Sequence, residues 1–305
     1  MRRYIATRIV TAVLVVFAVS VVSFLLTFLT GDPAEIMLPP GATAVQIAQF
    51  RAEWGFDDPL TVQYWRFLRR AVQGDFGVSL RHGQSSLPLI AARLPATLQL
   101  TVTAMLLAIV LAVPLGVVAA THRGRAMDLV AMGVALLGQS VPNFWLAIMM
   151  ILLFAVSWGV LPTSGRGEWT HVVMPATAIA INLMALLTRL VRTAVIEVLS
   201  EDYVRTARGK GLRELLVVMR HAVPNALIPL VTVVGLQFGY ILGGAVVIET
   251  IFTWPGVGLF TIQAILNRDY PVVQASVFIL ATAVVLINLV VDLLYVWLDP
   301  RIRLA

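Results

Sequence analysis

Long apolar runs alternate along the chain with short polar segments. A bilayer crossing needs about 20 apolar residues. The pattern predicts six such helices, over residues 9–29, 96–120, 130–158, 172–189, 226–248 and 272–298. The third run is too long for one plain crossing and contains Pro142, so a kink or break is expected at Gln139-Ser140-Val141-Pro142. Residues 31–93 form the sizeable extramembrane piece. They predict a turn at 38–41, amphipathic helices over 45–54 and 62–71, and a loop at Phe76-Gly77. The piece is too small for a substantial core of its own, so it should lie against the membrane-spanning part.

One polar stretch, residues 201–224, lies between two apolar runs and is itself helically patterned. Tyr203, Val204 and Ala207 share one face of a helical turn. Gly209 and Gly211 interrupt, and a bend is expected there because glycine weakens a helix interior by about 1 kcal/mol. A second stripe follows at Leu212, Leu215, Leu216, Met219 and Val223. Arg205, Arg208, Lys210, Arg213 and Arg220 take the other faces. The stretch reads as two short amphipathic helices joined by a glycine elbow at a membrane surface.

Composition agrees. The 305 residues are 59% hydrophobic and 12% charged, about half the charge of a soluble domain. Mean hydropathy is +0.91. Without cysteine there is no disulfide, thiolate metal site or cysteine nucleophile. The net charge of +6 is carried by short segments beside apolar runs, a topology signal and not a nucleic-acid surface. With the N-terminus inside, the inner segments hold 14 Lys and Arg and the short outer ones 2, Arg166 and Arg268. Six more lie in the long outer piece, which translocates largely regardless of charge. Both termini are therefore expected in the cytoplasm. The first apolar run has 22 residues, longer than a secretory signal core, and is expected to be retained.

Chemistry-bearing motifs are sparse. Gly209-Lys210-Gly211 lacks the glycine spacing and the Ser/Thr of a phosphate loop. Asp75-Phe76-Gly77 copies a kinase triplet with nothing else of that set. His82, His122, His171 and His221 are isolated, without metal-ligand spacing. Proton relays would need ionisable groups within the spans. Arg189 and Arg192 sit near the inner end of the fourth and are expected to snorkel. Asp292 is expected to pair at the inner interface with Arg301 and Arg303. Polar and kinking groups mark a candidate path: Gln139, Ser140, Pro142, Asn143, Asn182, Gln237 and Tyr240. The adjacent Gly243 and Gly244 favour close helix approach.

Ala207, Gly211 and His221, within EDYVRTARGKGL…RHAVPNALIP, resemble the EAA loop of ABC-importer permeases, in the dipeptide/oligopeptide branch. Further matches are Gly55-Phe56-Asp57-Asp58-Pro59-Leu60, Gln63-Tyr64, Gly74-Asp75-Phe76-Gly77, Glu249…Phe252…Pro255-Gly256…Gly258, and Asp299-Pro300-Arg301. The position of the EAA glutamate holds Arg205, as in that branch. The resemblance implies an all-α polytopic type I (MetI-like) importer fold with six spans. It divides the chain into a first span (1–30), an outer subdomain (31–93) and a core (94–305) that includes a coupling loop at 197–224. Asp202, Tyr203, Arg205, Thr206, Ala207, Arg208, Lys210, Gly211, Leu212 and His221 would meet an ATPase. Glu249, Phe252, Pro255, Gly256 and Gly258 would form an outer element. The implied partners are a homologous second permease, two ATP-binding subunits and an extracytoplasmic solute-binding protein, in the inner membrane of a bacterium or archaeon. ATP and Mg would belong to the ATPases, leaving this chain no cofactor and no catalysis. Peptides lead as solutes; nickel chelates, glutathione and opine- or sugar-like compounds are the alternatives. An ion-coupled secondary transporter or an intramembrane hydrolase is disfavoured by charge-free spans and by the absence of HExxH and GxSxG.

Overall fold

The computed structural model describes residues 2–29, 32–38 and 41–298. Among the described residues sixteen α-helices follow one another. The outer piece and its flanks comprise α1 (Arg2–Leu29), α2 (Pro33–Met37), α3 (Ala44–Trp54), α4 (Leu60–Val72) and α5 (Ser86–Ala91). Next come α6 (Leu94–Thr121), α7 (Ala126–Ser140), α8 (Asn143–Met150) and α9 (Thr170–Leu199). The remainder are α10 (Asp202–Gly209), α11 (Glu214–Val217), α12 (Val223–Ala226), α13 (Ile228–Gly244), α14 (Val246–Ile251), α15 (Val257–Leu266) and α16 (Tyr270–Leu298). No β-strand occurs among the described residues.

Among the described residues four helical stretches are long and apolar enough to cross a membrane: Ile5–Leu26, Ser86–Thr121, Thr170–Leu199 and Tyr270–Leu293. Two bent pairs bring the number to six if each is one span. In the first, Ala126–Ser140 and Asn143–Ser157 meet at 96°, far sharper than a proline kink. Here Val141 and Pro142 are both extended and the helix stops outright. In the second, Glu214–Ala226 and Ile228–Gly244 meet at 47° at Leu227. The fifth apolar run thus divides between α13 and α14. The fourth runs ten residues beyond Arg189, because its arginines continue the helix.

The chain falls into two compact units. One holds Leu98–Trp254 with the described residues from Ile287 onward. Its centre is α9: more than half of its apolar window is buried, against a third or less for the other three spans. On α13, a Cβ at Gly235 would lie 2.2 Å from Val291 of α16, so only glycine fits this contact. The other unit holds Arg2–Thr97 with Pro255–Leu286. As expected, the outer piece borrows its core. Ala71, Phe76 and Ile90 cluster with Val257, Phe260, Ala264, Val272 and Ala275. Ser23 of α1 donates to the Gln274 carbonyl at 2.9 Å. Buried Asp269 accepts from the Ser79 hydroxyl and from the Leu80 N–H at 3.1 Å, clasping the 77–86 loop. Helix α3 opens with a Thr43–Gln46 capping box and closes at Gly55 in the left-handed region. The pairing expected of Asp292 with Arg301 and Arg303, and the Asp299-Pro300-Arg301 run, lie outside the described residues.

Candidate functional site

The glycine elbow follows directly from α9. Glu201 is extended and starts α10, which ends where Lys210 and Gly211 bond back to the carbonyls of Thr206 and Arg208. Gly211 has φ +77°, a conformation that a residue with a Cβ enters at a cost. Nothing lies within 4 Å of where that Cβ would be, so the demand is on the backbone alone. Across the elbow, Arg208 Nε and Nη2 donate to the two carboxylate oxygens of Glu214 at 3.0 and 2.6 Å. This fork holds the Glu214 carboxyl below its ordinary range and raises the Arg208 guanidinium. Beneath it Val204, Ala207 and Val217 form a small core with Val198, Leu199 and Leu212.

The second expected apolar stripe is only partly the buried one. Leu215 is 76% exposed and Met219 55%, with Leu216 exposed beside them, while Val217, Val218, Ala222 and Val223 are buried. Across the π-helical turn at Val218–Ala222 the buried positions recur five apart, Val217 to Ala222 and Val218 to Val223. Exposed Tyr203 accepts from Asn225 Nδ2 at 3.1 Å, and the His221 carbonyl accepts from the same amide at 2.8 Å. Asp202 pairs with Arg205 at 3.2 Å on the exposed side, and the Thr206 hydroxyl bonds the Asp202 carbonyl. Lys210 is exposed. The loop therefore offers a basic and apolar outer face, made of Tyr203, Arg205, Lys210, Leu215, Leu216 and Met219, on a buried aliphatic base.

The candidate path residues divide. Asn182 of α9 donates to the Val141 carbonyl at 3.1 Å and to Asn143 Oδ1 at 2.8 Å, tying the 96° break to the central helix. Pro142, Gln139 and Ser140 are exposed beside it, with the Ser140 hydroxyl turned back on the Leu136 carbonyl. Gln237 and Tyr240 lie on α13, half-buried and 77% exposed respectively, and no hydrogen bond joins them to the asparagine pair. Gly243 and Gly244 face open space, so they make no close helix contact within this chain. Sequence reading missed one arrangement. Arg192 does not snorkel: its Nε and Nη2 grip Asp128 at 2.6 and 2.8 Å, and Asp128 is buried and also accepts from the Gly124 N–H. The pair joins α7 to the end of α9 that carries the elbow.

In the outer element Glu249, Phe252 and Trp254 are buried. The Trp254 N–H bonds the Glu249 carbonyl at 2.8 Å, and the Phe252 carbonyl accepts from the Gly165 N–H at 2.8 Å. Gly256 has φ −92°, so it serves as the extended start of α15 and not as a left-handed turn. Pro255 is exposed and Gly258 buried.

A core of membrane-length helices, an asparagine-tied break and a basic elbow between two apolar helices define the membrane subunit of an ABC importer. The chain belongs to the family described as binding-protein-dependent transport system inner membrane component, whose model matches residues 112–304. The N-terminal model of the same systems matches residues 1–101. The chain is 41% identical over 304 residues to the glutathione transport system permease protein GsiC of Escherichia coli (strain K12), covering 99% of both chains. The GsiC protein of Shigella dysenteriae serotype 1 (strain Sd197) matches equally. In fold it is similar to an inward-facing form of the MetNI methionine ABC transporter, with TM-score 0.60, 18% identity, and 69% of this chain and 96% of that chain covered. It is thus a multi-pass inner-membrane transport component of type I importer fold, working with partner subunits.

Proposed function

We propose that this chain forms half of a translocation pathway for short peptides, glutathione among them. In this reading, solute is delivered by an extracytoplasmic binding protein, and a homologous second permease completes the path. Two cytoplasmic ATPases hydrolyse ATP, while this chain performs no covalent chemistry and has both termini in the cytoplasm. The observation that carries the reading is the Glu201–Ala226 loop: a helix–elbow–helix with a stapled base and an uncovered face of Leu215, Leu216, Met219 and Tyr203. Such a face suits a groove on a motor subunit, and its base continues α9, the helix bonded to the break at Pro142. Closure of the motors would tilt α9 and rock the path between inward- and outward-facing states. The 41% identity to glutathione permeases favours a thiol tripeptide over nickel chelates or sugar-like solutes. The test is uptake by the reconstituted assembly with its binding protein. Glutathione or dipeptides should accumulate only with ATP, and accumulation driven by an ion gradient without ATP would refute the reading. The purified chain alone should hydrolyse no ATP.

A further inference from the structure

Helix α4 has two faces with different demands. On one, Gln63 and Ala71 are buried and Phe67 packs on the core. On the other, positions 62, 65, 69 and 72 form a single helical stripe, and all four are exposed: Val62 46%, Trp65 64%, Val72 82%, with Arg69 among them. A large aromatic and two valines uncovered on a short helix call for an occupant.

The neighbouring span states the height at which this stripe sits. The Tyr64 hydroxyl bonds Ser20 Oγ at 2.8 Å, and its ring lies edge-on to Phe17 at 6.1 Å and Phe24 at 5.6 Å. Ser20 lies six residues inside the Leu26 end of the apolar span Ile5–Leu26. At the helical rise that is about 9 Å below the end of the apolar stretch. Helix α4 therefore rests beside the outer turns of a membrane-crossing helix, at the boundary between acyl chains and headgroups. Trp65 adjoins Tyr64, with ring centroids 6.0 Å apart. The stripe thus continues a surface already turned to lipid, where Phe17 is 48% exposed. Its composition suits that layer. An indole places its ring among the acyl ends and its N–H among headgroups. An arginine lays its stem on the apolar face and lifts its guanidinium to the phosphates.

We propose that α4 is an interfacial membrane helix, its Val62–Trp65–Arg69–Val72 stripe seated in the phospholipid headgroup layer of the leaflet at the Leu26 end of α1. The inference rests on Ile5–Leu26 crossing the bilayer. It assigns the exposed stripe of α4 to lipid, leaving other surfaces of the outer piece for the binding protein.

The cysteine-free chain allows a direct test. Val62→Cys, Trp65→Cys and Val72→Cys would each be spin-labelled in the full transporter, in bilayers of phosphatidylethanolamine and phosphatidylglycerol, with the signal of the unsubstituted assembly subtracted. A label at Gln49, exposed on α3, supplies the aqueous reference and one at Val13, exposed on α1, the lipid reference. The ratio of collisions with oxygen to those with a water-soluble nickel chelate should, at all three sites, lie above that at Gln49 and below that at Val13. An aqueous pattern at the three sites would overturn the proposal. So would low accessibility to both reagents, the signature of a covering protein chain. Because the Val13 label reports separately whether α1 is in lipid, failure of the span and failure of the stripe are distinguishable.

Discussion

At the residue scale, the least replaceable pair is Asp128 with Arg192. The two lie 64 residues apart, one at the start of an apolar helix and one taken for a snorkelling cation, so nothing in sequence spacing couples them. Burial makes the pair asymmetric in its response. Arg192→Ala leaves a 4%-exposed carboxylate without its counter-ion, a loss of about 3–5 kcal/mol. Replacing both partners by Leu and Met removes the stranded charge and should cost much less. Thermal unfolding of the assembled transporter should show a large drop in Tm for the single variant and a small one for the double. Equal drops would show that the pair does not act as a unit. Gly211 was legible in advance because a glycine interrupting a helical pattern needs a reason, and φ +77° supplies it.

At the element scale, the elbow and the break carry the argument. The sequence located both: Gly209 and Gly211 for the first, Pro142 for the second. It did not show which face of α11 and α12 is buried, because a π-helical turn adds a residue that a period of 3.6 does not anticipate. Of the stripe read from the sequence, Leu215, Leu216 and Met219 are exposed, while Val217 and Val218, outside that stripe, are buried. The Arg208–Glu214 fork gives the elbow a pH dependence of known sign. The Glu214 carboxyl is held below its ordinary value by the guanidinium, so the staple is complete above the ordinary carboxylate range. It is lost as pH falls through the lowered folded value. Both side chains are substantially exposed, and the staple contributes only a few tenths of a kcal/mol. A spin label at Lys210 should gain mobility only as pH falls below the ordinary glutamate range, and Glu214→Gln should show that mobility already at neutral pH. At the break, Asn182→Leu removes two hydrogen bonds, one to a carbonyl freed by Pro142. The expected cost is about 2 kcal/mol, read as a lower Tm; Asn182→Asp loses both donating N–H groups, sets acceptors against the Val141 carbonyl and Asn143 Oδ1, and should be at least as impaired.

At the scale of the whole molecule, topology was the most legible feature. Six spans were expected from apolar length; among the described residues four helices meet that length outright, and two bent pairs supply the rest, turned by 96° where the helix stops at Pro142 and by 47° at Leu227. What the pattern could not supply is the partnership of chain segments far apart. The outer piece finds its core on α15 and the beginning of α16, about 190 residues downstream, through Phe76, Phe260 and Val272. Orientation can be read by chemistry. The contrast of 14 to 2 basic residues predicts that the elbow lies inside. Cysteines placed at Ser85 and Thr163 should react with an impermeant thiol reagent in intact cells, and one at Gly209 should not; the reverse pattern would invert the orientation.

In the proposed function this chain receives the motor's motion through the Gly211 elbow. The most direct measurement is Gly211→Val in the reconstituted transporter, following uptake and solute-stimulated ATP hydrolysis together. Valine resists the left-handed conformation at a cost of about 1–3 kcal/mol; Asn tolerates it better. The valine variant should insert and assemble with its binding protein yet lose uptake or its link to hydrolysis, while Gly211→Asn should largely retain both. Near-normal coupling in the valine variant would contradict the claim.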